Sequence, residues 1–441
     1  MKIARRFNAG FLDGRNRVPK GRLKSGAPAA SLRDASPDAF PPGVETPGDY
    51  RWSLRDKPPT RYFALRGNSM LPNYDGIRMM PTLHTGEGSA RRTCFIATRG
   101  SALALAQANI VLAQCRAAFP NSNFELKIVK TTGDKLQTAS LALEGNALPK
   151  GLFTKELEAA LLDKSADLAV HSLKDLPTEL PRGLKLGAVS QRADVRDVLI
   201  YREATVSFAS AQDEPSPDQS TKRGFKPGLE IKDLPAGAVV ATSSTRRKAQ
   251  LLAHHPGLKV PDIRGNVLTR LQKVASQAEI DATVLALAGL ARLDYSITPE
   301  GRLQGKDVPA GLLATILETE TMLPCVGQGA IGIEVREDDE AIAATCARLD
   351  HEPTHLCVTA ERAFLAAMGG GCQSPVAAYA EIDDGKIQMR ALSFTQGPVR
   401  HAQGTRALQE AVQLGQQLAV ELKGPSRLEA APTLAGRDPL I

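Results

Sequence analysis

No run of 18 apolar residues occurs in the 441-residue chain, so no membrane-spanning helix is expected. A secretory apolar segment is missing too. Aromatic residues make up only 4% of the chain, and Trp52 is the single tryptophan. Hydrophobic residues still reach 42%, enough for a sizeable core in two to four domains. The six cysteines (Cys94, Cys115, Cys325, Cys346, Cys357 and Cys372) form no CxxC pair. That spacing favours free thiols over a disulfide framework. Past residue 90 neither sign of charge is in excess. Residues 1–90 hold 15 basic and 8 acidic residues, and residues 91–441 hold 40 of each. The whole net charge of +7 therefore belongs to the leader, which argues against a nucleic-acid surface in the rest.

The leader contains ten prolines and no sustained period of 2 or 3.6, so it reads as disordered. Its first 33 residues are Arg-rich with one acid, Asp13, which fits a transit peptide. The preferred alternative is a start codon upstream of the true one, with translation beginning near Met70, Met79 or Met80. From residue 94 the pattern alternates strand, helix, strand, helix, strand, the signature of a parallel or mixed sheet covered on both faces. The strands fall at 94–98, 124–130 and 168–170, with helices at 101–118 and 151–163. A second such series occupies 238–288, with strands at 238–242 and 282–288 and a short one in LKVPDI. Residues 203–232 and 299–322 look like insertions, the first mobile. A further strand is expected at 330–335. After residue 351 a helix at 354–368, strands at 375–382 and 386–393 and a last helix near 406–422 indicate a small α+β domain.

Two motif matches fail on context. GQGAIG (327–332) satisfies GxGxxG but is followed by a strand rather than a helix, so a Gly-rich turn is the better reading. HEPTH (351–355) satisfies HExxH, but Pro353 breaks the helix interior the zinc motif needs and suits a first turn instead. The informative segment is DLAVHSLKDLP (167–177). An apolar run ends in His171, Lys174 and Asp175 and is stopped by Pro177. Ligands of open α/β sheets bind beyond the strand ends, so Asp175 is either a carboxylate aimed at a ligand or a cap or surface ion pair. Other polar residues are expected at strand or turn ends. They are Arg99, Ser101, Thr132, Asp134, Lys150, Ser243, Ser244, Arg246, Arg247, Arg264, Arg270 and Arg292. Many cations and hydroxyls facing few acids imply a ligand with several carboxylates or phosphates.

IATRGSALALAQ, TTGDK, KGLFTKELE, VHSLKDLP, ATSSTRR, IRGNVLTRL, LALAGLARL, VGQGAIGIE, TAERAF and GGGCQSPV stand in this order. Over about residues 92–400 the chain thereby resembles the porphobilinogen deaminases, also called hydroxymethylbilane synthases. The resemblance implies a transferase that joins four porphobilinogen molecules head to tail, releases ammonia each time and yields hydroxymethylbilane for tetrapyrrole biosynthesis. It implies an α/β fold of two doubly wound domains like periplasmic binding proteins plus a small α+β C-terminal domain. The expected limits are 92–195 with 330–347, 196–329, and 352–441. A dipyrromethane cofactor held by a thioether to Cys372 is implied, with Lys174, Ser243, Ser244, Arg246, Arg247, Asp134 and Thr132 around it. Arg99, Ser101, Lys150, Arg264, Arg270, Arg292 and Gln328 would bind substrate.

The chemistry agrees with that assignment. Each pyrrole unit carries an acetate and a propionate, for which Arg forks are natural receptors. A buried Asp175 would stabilise the cation formed as ammonia leaves and exchange protons with the reacting groups. Lys174 would be its structural or carboxylate-binding partner. Three glycines before Cys372 would give a swinging loop its freedom. Gly369, Asn146, Thr245 and Pro261-Asp262 depart from the family pattern and lower the local positive charge, which bears on affinity and elongation rate. A cytoplasmic monomer without metal, nucleic acid or membrane is expected; a plastid or mitochondrial site is the alternative if the leader targets.

Overall fold

A computed structural model describes residues 92–133, 153–204, 222–371, 374–395 and 397–424. The leader, Asp134, Lys150, Cys372 and most of the first expected insertion lie outside the described residues.

The first series is β1 (Thr93–Arg99), α1 (Ala102–Ala118), β2 (Asn123–Val129), α2 (Lys155–Leu162), β3 (Leu168–Ser172) and β4 (Leu184–Val189). The second is β5 (Asp197–Arg202), β6 (Val240–Ala241), α3 (Thr245–His254), α4 (Val267–Ser276), β7 (Ala282–Ala286) and α5 (Leu287–Ala291). A hairpin of β8 (Ser296–Ile297) and β9 (Leu303–Gln304) leads to β10 (Leu312–Leu317), β11 (Ile331–Arg336) and α6 (Glu340–Leu349). The chain ends its described course with α7 (Glu352–Ala367), β12 (Val376–Asp383), β13 (Lys386–Ser393), β14 (Arg400–Ala407) and α8 (Ala411–Lys423).

Strand order in the first sheet is β2-β1-β3-β11-β4 and in the second β10-β5-β7-β6. β11 runs antiparallel to β3 and β4, as β5 does to β7 and β10. A bridge from Val239 to Lys259 extends the second sheet past β6. Read from that edge, both sheets follow one plan, each with an antiparallel strand delivered by a crossover from outside its own series. β5 and β11 are buried at every position, as strands covered on both faces must be. One core packs α1 and α6 on the first sheet, and a smaller one packs α2 on its other face. Leu251 of α3 and Leu271 and Val274 of α4 bury opposite faces of the second sheet. The fold class is therefore the expected one, two doubly wound α/β units and a three-stranded α+β unit.

Local structure departs from expectation at four places. Residues 299–322, expected as an insertion, hold β10, which pairs with β5 over six residues, and Met322 and Leu323 are buried. The polar, Gly-rich flank of LLATIL hid a strand. The described end of 203–232 is likewise packed, with Phe225 bridged to Glu203 and Leu229 and Ile231 in the core. The last helix begins only at Ala411, because 400–407 is a strand whose small inward residues, Ala402 and Gly404, conceal its period of 2. LKVPDI forms only the isolated bridge at Lys259.

Candidate active site

β3 runs into a single 3-10 turn, Leu173–Asp175, that Leu173 and Leu176 anchor in the core. This leaves Lys174 half-buried and Asp175 exposed. The carboxylate expected to be buried is thus presented on a rigid turn beyond the strand end. It shares a cavity with Arg99, Ser101, Gln107, His171 and Ser172. Ser101 caps α1 by accepting from the Ala104 amide at 3.4 Å, fixing the helix start beside β1. Gln107, buried on α1, donates to the Ser172 hydroxyl at 2.9 Å and ties the helix to the end of β3. The Arg99 guanidinium lies 4.2 Å from the Phe153 ring centre. Thr132, on the following loop, donates through its amide and hydroxyl to Glu156 at 2.7 and 2.6 Å.

The cations of the second sheet are organised by an acid that sequence reasoning did not single out. Asp197, wholly buried at the start of β5, accepts from Arg246 at 2.8 Å, Arg247 at 2.7 Å and the Gln328 amide at 2.9 Å. Burial alone would raise its carboxyl, but the two guanidiniums outweigh burial and hold it well below the usual carboxylate range. Arg246 and Arg247 also donate to the carbonyls of Leu323 and Val284 at 2.7 Å each. Their Nε atoms remain buried and without a partner among the described residues. Ser244 caps α3 through the Arg247 amide, and the exposed Ser243 binds the Ile263 backbone at 2.8 and 3.1 Å.

Arg270 links the two halves electrostatically. Burial lowers its guanidinium, Arg247 adds repulsion, and Asp175 acts in the opposite sense. So Arg270 feels the charges of both Arg247 and Asp175. Arg292 donates to the Gly329 carbonyl at 2.6 Å, and burial pushes it down to about 10. Arg264 is exposed. Gln328 lies apart from the cleft: it is fully buried, with its amide spent on Val195 at 2.6 Å and on Asp197. Gly327 and Gly329 on either side adopt φ +72 and +86, which makes GQGAIG a turn into β11. In HEPTH, His351 caps α7, Pro353 sits in its first turn and His355 binds Asp350.

Two family models match the chain. One, described as the porphobilinogen deaminase dipyromethane cofactor binding domain, spans residues 94–344, and its C-terminal domain spans 355–424. The chain belongs to the porphobilinogen deaminase family. The porphobilinogen deaminase of Desulforudis audaxviator is 43% identical over 334 residues, covering 75% of this chain and 94% of that protein. Those of Brevibacillus brevis (38% over 328 residues, 74% and 93%) and Thermus thermophilus (42% over 305 residues, 69% and 86%) are similar over nearly the same stretch. Membership makes the chain a transferase of tetrapyrrole synthesis that uses a dipyrromethane cofactor. Of the porphobilinogen deaminase motifs that carried the resemblance, IATRGSALALAQ, VHSLKDLP and ATSSTRR lie on β1, β3 and α3 and their adjoining turns. Gln107, Ser172 and Asp197 were missed. Gln107 alone carried a local signal, a polar residue between alanines in an apolar helix run; Ser172 and Asp197 have polar or charged neighbours.

Proposed function

We propose that Asp175 is the catalytic carboxylate of hydroxymethylbilane synthesis and that Cys372 carries the cofactor. The observation that carries the first assignment is an acid on the turn beyond β3, lining a cavity with Arg99, Ser101 and His171, whose charge acts on Arg270. Porphobilinogen bears two carboxylates, so Arg99, Ser101, Arg264, Arg270, Arg292 and Lys150 would hold each unit by charge-assisted hydrogen bonds. As ammonia leaves the substrate, positive charge develops on the pyrrole. Asp175 stabilises that charge and passes protons between the leaving amine and the ring carbon. Lys174, beside it, binds carboxylate or supports the turn.

The cofactor suits the residues present. The buried Nε groups of Arg246 and Arg247 are spare donors for its acids, and Ser243, Ser244, Thr132 and Asp134 would complete the set that holds it. When bound, the cofactor would supply the free pyrrole carbon to which the first unit is joined, each later unit being joined to the one before it. A tether must be a reactive thiol; burial pushes Cys115, Cys346 and Cys357 up to about 11, 12 and 11 and raises Cys94, and the half-buried Cys325 thiol donates to Gln328 at 3.5 Å. Cys372 follows Gly369-Gly370-Gly371, where Gly369 (φ +70) ends α7.

Three domains, 92–195 with 330–347, 196–329, and 352–441, acting as a monomer in the cytoplasm complete the reading. An organelle follows instead if residues 1–90 target the chain. Asp175→Asn keeps the shape and removes the charge. It is expected to lower turnover at least about a hundredfold with an unchanged melting temperature, and near-normal turnover would overturn the assignment.

A further inference from the structure

His171 was conspicuous in the sequence and is not used by the mechanism above, yet it walls the cavity that holds Asp175. Its Nε2 lies 3.0 Å from Oε2 of Glu334, with side chains 4% and 0% exposed. Glu334 stands on β11, two residues from Gly332, which is opposite His171 in the register. A Cβ at Gly332 would meet the Leu173 side chain at 2.8 Å, so the missing side chain gives the Asp175 turn its seat. Neither oxygen of Glu334 makes an aligned hydrogen bond among the described residues. A carboxylate in that position is costly unless cations compensate it.

Arg362 supplies part of that compensation. Glu334 acts on Arg362 of α7, a guanidinium that burial lowers and Glu334 raises. Arg362 in turn donates to the carbonyls of Leu176, Pro177 and Thr178 at 3.2, 2.6 and 3.3 Å, gripping the chain just after Asp175. Glu158 of α2 faces the same group: burial raises its carboxyl, Glu334 adds to that and His171 opposes it. Glu334 therefore lies against the imidazole at the cavity wall, and its charge acts on the guanidinium that clamps the catalytic turn. An apolar pair of equal volume would fill this space at lower cost, so packing alone does not account for it.

We propose that Glu334 and His171 are positioning residues of the condensation: with Arg362 they fix residues 173–178 and so the place of the Asp175 carboxylate. The proposal rests on Asp175 as the catalytic group. The test is steady-state turnover of porphobilinogen by the full cofactor-bearing protein carrying Glu334→Gln, Glu334→Asp, His171→Asn or the double change Glu334→Gln with His171→Asn. Misplacing a reacting group by about 1 Å costs on the order of a hundredfold. Glu334→Gln and His171→Asn are each expected to lower kcat about tenfold to a hundredfold with KM within about twofold. Glu334→Asp should recover part of that loss, and the double variant should be no slower than the worse single one. A kcat within about twofold of the parent in either single variant overturns the proposal, as does a double variant that loses the product of the two effects. If Glu334→Gln gives no soluble protein, His171→Asn decides by the same kcat criterion. Asp175→Asn is assayed alongside. Activity there would refute the catalytic assignment, whereas a dead Asp175 variant with normal Glu334 and His171 variants would refute only the positioning role.

Discussion

Asp197→Asn isolates the role of the buried acid under the arginine doublet. The substitution keeps volume and leaves Arg246 and Arg247, 3% and 6% exposed, without their counter-charge. Breaking a buried pair costs about 3–5 kcal/mol, because the partner charge stays behind. Two cations share this carboxylate, so the upper end applies, a large part of a typical stability of about 5–15 kcal/mol. At about 2–4 °C per kcal/mol the melting temperature should fall by roughly 10–20 °C. The pH dependence gives a second test. Arg246 and Arg247 depress the folded value of Asp197, against the effect of burial, while an unfolded aspartate titrates near about 3.9. The stabilisation is therefore fully present above about pH 4 and is lost as pH falls through the lower folded value. Thermal melts followed by circular dichroism should show a constant gap between parent and variant from pH 8 to about pH 5, narrowing below about pH 4. A drop under 2 °C at pH 7, or a gap that closes between pH 8 and 5, would show that the doublet does not depend on Asp197.

Intact-mass measurement should find the parent heavier than its bare chain by two pyrrole units and the Cys372→Ser variant at the bare-chain mass. A parent at bare-chain mass would move the tether or remove it. At Gly415, on α8, an added Cβ would fall against the Ala360 carbonyl of α7. Helix propensity alone favours Gly415→Ala by about 1 kcal/mol, whereas forced separation of the two helices costs about 1–3 kcal/mol. The melting temperature should fall, and a rise would show that the crossing is looser than described.

The elements legible in the sequence are those whose chemistry is local. β3 announced itself as an apolar run stopped by Pro177, and Asp175 as the acid immediately past it. Ser244 and Arg246-Arg247 followed a short strand and were expected at its end. The acids that organise these groups were not legible, because their partners are distant in the chain. Asp197 lies in RADVRD, where nothing local says that one charge goes inside and Asp194 stays half-exposed against Arg196. Glu334 reads as the polar member of a strand IGIEVR, and only the pairing of β11 with β3 brings it under His171. β10 and β14 were lost for a related reason. Their pairing comes from partner strands, while flanking Gly and polar residues mask the pattern that would reveal them.

The arrangement of Arg246 and Arg247 explains how a cleft of many cations can exist before an acidic ligand enters. Two adjacent guanidiniums in a low-dielectric site repel each other, and a ligand that had to assemble them would lose affinity to ordering. Asp197 supplies one charge to both and fixes their planes through bonds of 2.7 and 2.8 Å, while the Leu323 and Val284 carbonyls occupy further donors. What is left is one unpartnered Nε on each, with a net positive balance over the pair and its acid. The same carboxylate accepts from Gln328, which sits on the crossover into β11 and also holds Val195 on the crossover into β5. Any shift of one sheet relative to the other must pass through these two crossovers. Asp197 is therefore the point at which a change in the cleft would be felt by the arginines proposed to bind the chain of acids, and its loss should disturb that binding and the relation between the sheets together.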